Sequence, residues 1–397
     1  MQNPGQPAEE WTLPDGTSRF AITHLVSNFF VDETTQVDFA TVYNDASTTN
    51  DSGALTASLL SGLNMGAAGM AYSNLEGLDI FLGSGDDTFG VTGTMTRGDG
   101  YQTVTMLSTG AGADNVTVAL AAGTDGFFSV NGEAGDDTID AIASTLPLVI
   151  FGGDGADTLT GGSGDDILFG DRGRVDYRDG TGKLITRLGL GLAERTVLQP
   201  GQTESSLADV PFQQTDGVVR GPDVATTRDA ATGGGDTLLG GDGDDLIFGG
   251  AGGDFIGTDS GGAPAGTENG ADAIVGDNGF AWFDSAGAGI LSRVATTDPA
   301  LGGDDTVFGG ADADVVLGNA GGDTLSGGDG ADFILGDNGQ ADYDALGRLT
   351  TVQTTNPSDG GADTVYGGAG VDTILGGAGG DTLNGDAGND VILGDNG

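Results

Sequence analysis

The sequence contains no cysteine and a single histidine, His24. It therefore has neither disulfides nor thiolate metal sites, which fits an extracellular protein stabilised by another route. Without a second histidine, we identify no Ser or Cys nucleophile arrangement of the kind that acyl-transfer enzymes use. His24 lies in a strand-like stretch far from the repeats described below, and we expect it to be structural. We predict that the protein is not an enzyme.

Aromatic residues make up only 6% of the 397 residues, whereas glycine occurs 79 times. That balance disfavours conventional globular cores and favours a repeat architecture. No apolar run approaches the roughly 18 residues of a membrane span, so we predict none. The first residues lack the basic and apolar regions of a Sec leader, and the chain stops inside a repeat at Gly397. We therefore expect no Sec leader, and we expect the chain to be a fragment of a longer protein.

Basic residues are scarce: 12 lysines and arginines stand against 60 acidic residues, for a net charge of -48. So much self-repulsion opposes a compact fold unless counterions neutralise it. Nucleic acids and anionic membrane surfaces are disfavoured as partners for the same reason. The acids are almost all aspartates placed periodically beside glycines. The counterion that we expect is therefore a divalent cation held by oxygen ligands.

The periodicity is clearest in residues 361–393, where an aspartate recurs every ninth residue and an aliphatic residue follows two places later. Each nine-residue unit pairs a glycine-rich turn with a very short strand, which is typical of a solenoid. The same aspartate position recurs at Asp157, Asp166, Asp236, Asp245, Asp254, Asp272, Asp305, Asp314, Asp323, Asp332, Asp363, Asp372, Asp381 and Asp390. A looser version, at longer spacing, marks Asp87, Asp114 and Asp137.

Calcium is the ion that best suits these turns, because it takes six to eight oxygens and accepts backbone carbonyls as readily as carboxylates. One turn supplies too few oxygens. Two turns stacked eighteen residues apart, such as those of Asp372 and Asp390, can clamp one ion between them. The aliphatic residues of both sheets would form a thin inner core, too small to offset the chain entropy of so many glycines. Folding should therefore depend on calcium.

The acidic pairs, such as Asp165-Asp166, recur with the repeat, which argues against a catalytic acid and base.

Three insertions interrupt the repeat, each beginning with GDRG or GDNG at residues 170–173, 276–279 and 336–339. An aromatic residue follows at Tyr177, Phe283 and Tyr343, in a pattern that predicts β-hairpins. Two units make one coil, so inserts placed every four units fall on the same edge. With strands about 4.8 Å apart, the hairpins would form a ridge with a spacing of about 10 Å.

The step from Asp254 to Asp272 could hide a degenerate fifth unit or one nine-residue loop; four units per block favours the loop.

The domain organisation that we predict has five parts. The first insertion contains eight of the twelve basic residues, and its later half, 199–217, has the composition of a flexible loop. The predicted parts are a non-repeat β segment or cap (1–60), irregular coils (61–151), strict repeats (152–170), a hairpin with an Arg-rich insertion (171–231), and a β-roll (232–397) with hairpins near 277–302 and 337–360.

The units 152–160, 161–169, 309–317 and 327–335 resemble the RTX, or hemolysin-type, calcium-binding nonapeptide G-G-x-G-x-D-x-U-x. The resemblance is strong over 152–170 and 232–397, partial over 83–140 and absent from 1–60. It implies an all-β parallel β-roll, or β-solenoid, that binds several Ca2+ ions through the sixth-position aspartates. It also implies type I secretion and folding outside the cell. The hairpins and the missing C-terminal secretion signal depart from the simple array of that family.

The function that we predict is a calcium-binding extracellular structural module of a bacterial cell-surface protein: an adhesin, filament, stalk or surface layer. The alternative is a secretion and folding module of an exported enzyme or toxin whose active domain lies outside this chain. The hairpin aromatics Trp282, Phe283 and Tyr343 either pack against their own roll or dock neighbouring molecules, including other copies. Stacked threonines after the ligand aspartates are better explained by β-propensity than by ice binding.

Overall fold

The computed structural model describes residues 10–12, 18–20, 38–97, 103–178, 182, 184–189, 197–202, 220–257, 269–284 and 288–395. The regular elements in these ranges are all β-strands, and none of the described residues form a helix long and apolar enough to cross a membrane. The chain divides into two units, Met1–Gln36 and Val37–Gly397. In the first, Glu10–Thr12 pairs antiparallel with Ser18–Phe20. The predicted role of His24 lies outside the described residues.

The second unit contains a roll of two parallel sheets, which confirms the all-β parallel β-roll. We call the first one the covered sheet. Its strands, in spatial order, are Phe39–Tyr43, Gly77–Phe81, Val104–Ser108, Phe127–Ala134, Val149–Asp154, Ile167–Phe169, Leu246–Phe248, Ala273–Val275, Val315–Leu317, Phe333–Leu335, Thr373–Leu375 and Val391–Leu393.

The other sheet of the roll is the open sheet. Its strands, in spatial order from the opposite end, are Thr382–Asn384, Thr364–Gly370, Thr324–Gly330, Thr306–Ala311, Phe255–Ile256, Thr237–Leu239, Thr158–Thr160, Thr138–Asp140, Asn115–Val118, Thr88–Val91, Ser52–Thr56, Leu59–Gly62 and Met70–Ala71, with Ala387–Gly388 beside Thr364–Gly370. The strand Leu59–Gly62 pairs antiparallel with both of its neighbours, so the parallel pattern ends at Ser52–Thr56.

The inner core of the roll is a double column of aliphatic side chains. Leu159 stacks on Leu238 in the open sheet, and Leu168 stacks on Ile247 in the covered sheet. All four are at most 1% exposed. Each of the four lies two residues after a repeat aspartate. The prediction that this aliphatic position points inward is therefore confirmed. Each added coil extends the same hydrophobic column.

The three insertions all leave the roll at one edge, which we call the insertion edge. Each lies between a strand of the covered sheet and the next strand of the open sheet, as between Ile167–Phe169 and Thr237–Leu239. The parity prediction is therefore confirmed. The next described strand after Phe255–Ile256 of the open sheet is Ala273–Val275, which pairs with Leu246–Phe248 in the covered sheet. The strand that follows Asp272 therefore lies one coil after the strand that follows Asp245, which agrees with four units in this block. The predicted loop itself, within 258–268, lies outside the described residues.

We predict a ridge of spaced hairpins along one edge. The hairpins do lie along one edge, but they pair with one another into one antiparallel hairpin sheet. Its strands, in spatial order, are Leu184–Gly189, Gly173–Arg178, Val224–Thr227, Gly279–Phe283, Leu291–Thr296, Gly339–Tyr343 and Leu349–Thr354. The strand Leu291–Thr296 pairs directly with Gly339–Tyr343 of the next insertion. The reason is a match of lengths. Two coils advance the roll by two strand widths, about 10 Å, and the second and third insertions each add two strands of the same width. The first insertion adds three.

A second core fills the space between the hairpin sheet and the outer face of the covered sheet. Phe151, Phe169 and Phe248 stack along the roll with ring centroids 5.0 Å apart. The predicted aromatic positions Tyr177, Phe283 and Tyr343 pack in this core. Trp282 points the other way: its Nε1 donates to the carbonyl of Val197 at 2.7 Å, and the guanidinium of Arg293 lies 4.9 Å from its ring centroid. Of the hairpin aromatics Trp282, Phe283 and Tyr343, the last two therefore pack against their own roll.

The two strands of the first hairpin, Gly173–Arg178 and Leu184–Gly189, are joined by buried ion pairs. Arg174 and Asp176 are each 1% exposed, and Arg174 Nε donates to Asp176 at 2.8 Å. Arg187 Nε donates to the same carboxylate at 2.8 Å. These buried ion pairs connect the two strands of the first hairpin. Of the predicted flexible loop at 199–217, residues 203–217 lie outside the described residues.

The roll begins before the repeat becomes visible in the sequence. Phe39–Tyr43 and Ser52–Thr56 already belong to the covered and open sheets, ahead of residue 61 where we placed the first irregular coils. Asp51 takes the place of a repeat aspartate, since its N–H donates to Oδ1 of Asp87 at 2.7 Å. The turn before Asp51 lacks the repeated glycines. The pattern was therefore not recognisable in the sequence.

Candidate calcium-binding sites

The repeat aspartates form two columns, one along each edge of the roll. On the insertion edge the backbone N–H of each aspartate donates to Oδ1 of the aspartate in the next coil. That ladder runs through Asp51, Asp87, Asp114, Asp137, Asp157, Asp236, Asp254, Asp305, Asp323, Asp363 and Asp381. The ladder on the opposite edge contains Asp166, Asp245, Asp272, Asp314, Asp332, Asp372 and Asp390.

The second carboxylate oxygen, Oδ2, of most ladder aspartates is buried without a hydrogen-bond partner among the described residues. These unpartnered oxygens belong to Asp87, Asp114, Asp137, Asp157, Asp236, Asp254, Asp305, Asp323, Asp332, Asp363 and Asp372. Asp332 and Asp372 are 0% exposed. A buried charged oxygen without a partner is strongly destabilising. The repetition of this arrangement therefore indicates cation binding rather than an isolated packing defect.

Except in the turns of Asp87 and Asp114, each unpartnered oxygen lies beside the first glycine of its own turn. A Cβ atom added to Gly318 would collide with Oδ2 of Asp323 and with the carbonyl oxygen of Gly336 in the next coil. We call such a space, bounded by a carboxylate oxygen of one coil and a carbonyl oxygen of the next, a cradle. Cradles of this composition occur at Gly132, Gly152, Gly161, Gly170, Gly249, Gly276, Gly309, Gly318, Gly336, Gly367 and Gly376.

The electrostatics of the ladders also favour a bound cation. Burial raises the pKa of Asp236 to about 9 and that of Asp363 to about 8. The pKa of Asp305 is raised by burial and by the neighbouring carboxylates of Asp277, Asp254 and Asp323. A divalent cation in the cradles would reverse this effect, because it stabilises the ionised form of each carboxylate.

The donor set fits calcium. Carboxylate and main-chain carbonyl oxygens converge in the cradles, and those are the ligands that calcium prefers. Within the described ranges, no three His, Cys, Asp or Glu side chains gather around one point, so the main chain must supply much of any ion's coordination. When bound, the ion supplies positive charge between coils. Asp323 and its counterparts would hold it with one carboxylate, and Gly336 and its counterparts with one carbonyl.

The structure separates the predicted ligand residues into two groups. All of them lie on the ladders, but the first place of the turn differs in the early coils. In the turns of Asp87 and Asp114 that place is taken by Leu82 and Thr109, whose N–H groups bond to the next coil as the first glycines do elsewhere. The Thr109 hydroxyl donates to the carbonyl of Gly132 at 2.7 Å. These two turns therefore lack the cradle, whereas the turn of Asp137 has it.

The turn of Asp272 is described only in part, because its first place falls within 258–268, outside the described residues.

Three buried aspartates are absent from the predicted ligands: Asp171, Asp277 and Asp337, which lie in the GDRG and GDNG motifs. Their repetition at every insertion was the available signal.

Asp79 is a half-buried acid away from the ladders and provides a test of how burial couples charge to stability. It lies in the covered sheet between Thr41 and Met106, and its Oδ1 has no hydrogen-bond partner among the described residues. Burial raises its pKa to about 7. Because this folded-state pKa exceeds the unfolded value of about 3.9, the protonated carboxyl of Asp79 favours the folded state at acidic pH. This contribution to the free energy of unfolding is lost as the pH rises through 7.

We expect Asp79→Asn to stabilise the roll by about 1–2 kcal/mol at pH 8, allowing for partial exposure, and to have little effect near pH 4.5. Chemical denaturation in saturating calcium at both pH values measures this difference. The matched control is Asp45→Asn, which removes the same charge from an exposed side chain. An equal effect of Asp79→Asn at the two pH values would contradict the prediction.

The comparison with protein families agrees with this geometry. The model described as the RTX calcium-binding nonapeptide repeat (4 copies) matches residues 149–174, 231–262, 300–325, 309–340 and 358–392. No curated protein matches the chain. The matched segments contain turns with cradles and stop short of the coils that carry Leu82 and Thr109. The chain therefore contains RTX calcium-binding nonapeptide repeats, which are folded into a parallel β-roll that binds several calcium ions.

Proposed function

We propose that the chain is a non-enzymatic structural module of a secreted bacterial cell-surface protein, folded outside the cell by calcium. The proposed calcium ligands are the ladder aspartates whose turns form cradles or continue the same columns. They are Asp137, Asp157, Asp166, Asp236, Asp245, Asp254, Asp272, Asp305, Asp314, Asp323, Asp332, Asp363, Asp372, Asp381 and Asp390. Asp87 and Asp114 are left out because Leu82 and Thr109 replace the first glycine of their turns.

The observation that carries the proposal is the repetition of the cradle along both edges of the roll. Each cradle lies between two coils, so an ion there would join one coil to the next. A chain with a net charge of -48 needs such neutralisation to remain compact. A series of ions along both edges gives a rod that is stiff where calcium is abundant. That property suits a stalk, filament, adhesin or surface layer.

The extracellular location is supported by the repeat type, because RTX repeats are typical of secreted bacterial proteins. The candidate interaction surface is the outer face of the hairpin sheet. There Trp282 and Arg293 stack, and Arg293 Nε donates to Asp342 at 2.6 Å. Neighbouring surface proteins or further copies would contact this face. We also keep the five-part domain division as a proposal, with its first boundary moved so that the roll begins at Phe39.

The ligand assignment is tested by counting ions in the double variant Asp372→Ala and Asp390→Ala. The cradle at Gly367 is formed by Oδ2 of Asp372 and the carbonyl of Gly385, and Gly385 belongs to the turn of Asp390. Removing both carboxylates therefore abolishes one complete two-coil site. We expect calorimetric titration with calcium to give about one ion fewer per chain than the unmodified protein.

The control for this experiment is the double variant Asp329→Ala and Asp395→Ala. These side chains are exposed, and their loss changes the net charge by the same amount. If the control lost as many ions as the ladder variant, general electrostatic attraction would explain the binding. An unchanged count in the ladder variant would contradict the ligand assignment.

A further inference from the structure

An aspartate stands at the point where each insertion leaves the roll. Asp171, Asp277 and Asp337 occupy the second place of their turns and are 3%, 0% and 4% exposed. In uninterrupted turns this place is usually a glycine with positive φ, such as Gly310 at 111° or Gly368 at 102°. Asp386 also takes this place in an uninterrupted turn, but its side chain is exposed. The three buried aspartates lie where the chain departs from the roll and later returns.

The carboxylate of Asp277 contacts both the returning chain and the neighbouring coil. Its Oδ1 accepts from the N–H of Gly303 at 2.8 Å, and its Oδ2 accepts from the N–H of Ala320 at 2.9 Å. Gly303 is the fourth residue of the same interrupted turn, after the insertion, and Ala320 is the third residue of the turn one coil further on. One side chain thus connects the two halves of a turn to each other and to the next turn.

The other two insertions repeat this pattern. Asp337 accepts from the N–H groups of Gly361 and Ala378, which are the equivalent residues in its block. Asp171 accepts from the equivalent N–H groups of Gly234 and Ala251. Both oxygens of each carboxylate thus face amide donors. The carboxylates of these aspartates therefore bind main-chain N–H groups rather than facing the cradles.

An asparagine after two of these aspartates completes the junction. Asn278 Nδ2 donates to the carbonyl of Leu301 at 3.3 Å, and Asn338 Nδ2 donates to the carbonyl of Asp359 at 3.0 Å. Both acceptors lie where the insertion returns to the roll. The aspartate thus binds amides of the returning chain, while the asparagine binds a carbonyl just before them.

The consequence is that the cradle is rebuilt across the insertion. A Cβ at Gly336 would collide with Oδ2 of Asp363 and the carbonyl of Gly376, although the whole third insertion separates Gly336 from Asp363 in sequence. The same relation holds at Gly367, Asp372 and Gly385, where no insertion intervenes. The geometry of the interrupted turn therefore matches that of a continuous one.

We propose that Asp171, Asp277 and Asp337 are positioning residues that hold the two halves of each interrupted turn in register, so that a calcium site survives the insertion. This inference rests on the proposed calcium-binding function. It explains how the chain carries a hairpin at every second coil of one edge without losing an ion site there. The role is exerted through the backbone amides of Gly361, Ala378 and their counterparts.

The test uses Asp337→Asn, because asparagine keeps the size of the side chain but presents an NH2 group to one of the two amides. We expect calorimetric titration with calcium to show about one ion fewer per chain, and hydrogen exchange at Gly361 and Ala378 to become faster. Asp329→Asn, which changes an exposed carboxylate in the same way, should alter neither measurement.

A second pair of variants separates positioning from a general structural role. Deleting residues 338–359 joins Asp337 to Gly360 and restores a continuous nine-residue unit, GDGGADTVY. In the deletion variant the peptide chain itself closes the turn, so adding Asp337→Asn should leave the number of bound calcium ions unchanged. An equal loss of ions with and without the insertion would overturn the proposal.

The companion variant Asp363→Ala distinguishes failure of this inference from failure of the proposed function. It removes the proposed ligand of the same cradle. If Asp363→Ala lowers the ion count and Asp337→Asn does not, the ligand assignment stands and the positioning role is wrong. If neither variant lowers the count, the calcium assignment of this turn is wrong as well.

Discussion

Removal of calcium should convert the chain from a β-rich molecule into a largely disordered one. The ladder aspartates place buried carboxylates one above another along both edges of the roll, and burial already raises the pKa of Asp157 and Asp323 to about 7 each. Without cations, these charges repel one another in addition to the net charge of -48. The inner core is a single aliphatic column in each sheet, too thin to offset that cost together with the entropy of the glycine-rich turns.

Far-UV circular dichroism with and without a calcium chelator at pH 7.5 measures this transition, and size-exclusion chromatography should show an increased hydrodynamic radius. Adding calcium in excess of the chelator should restore the β-rich spectrum. Magnesium should not, because it is smaller, requires octahedral geometry and releases its water reluctantly. A spectrum that is unchanged by chelation would contradict calcium-dependent folding.

The regular part of the fold could be predicted because its causes are local. An aspartate every nine residues, followed by an aliphatic residue, specifies both the turn and the inward face of the strand. Leu159 and Leu168 accordingly lie in the inner core at 0% exposure. The parity of four units per block also predicted the insertion edge. These conclusions need only the period of the sequence and the geometry of one coil.

The pairing of the hairpins could not be read from the same pattern, because it depends on lengths measured in three dimensions. The contact between Val294 and Ala341 exists because two coils and two hairpin strands have equal widths. The burial of Arg174 and Asp176 is similarly non-local, since Arg187 of the neighbouring strand binds the same carboxylate. The sequence predicted a hairpin there, but not the burial of its charged side chains.

The candidate sites were predicted only in part, because the aspartate is one component of each cradle. Thr109 shows this most clearly: Asp114 has the ladder position, but a threonine replaces the glycine whose missing Cβ leaves room for an ion. Asp277 was overlooked for the opposite reason. It takes the second place of its turn rather than the sixth, and its role depends on the backbone amides of Gly303 and Ala320, which only the folded chain brings together.

The first glycine of a turn is therefore expected to be as important as the aspartate, and Gly318→Ala should show it. The new Cβ would collide with Oδ2 of Asp323 and with the carbonyl of Gly336 in the next coil. Both groups belong to a rigid stack of turns and cannot move apart without separating two coils. We expect a loss of about 2–4 kcal/mol in the free energy of unfolding in saturating calcium.

The matched control is Gly380→Ala, since a Cβ at Gly380 would meet no atom within 4 Å. Alanine there should be neutral or stabilise the chain by up to about 1 kcal/mol, because it reduces the entropy of the unfolded state. Chemical denaturation of both variants, together with calorimetric ion counts, tests the argument. Gly318→Ala should also bind about one calcium ion fewer, because the methyl group occupies the space between the two oxygens. Equal stability and equal ion counts in the two variants would show that the cradle is not where the ion binds.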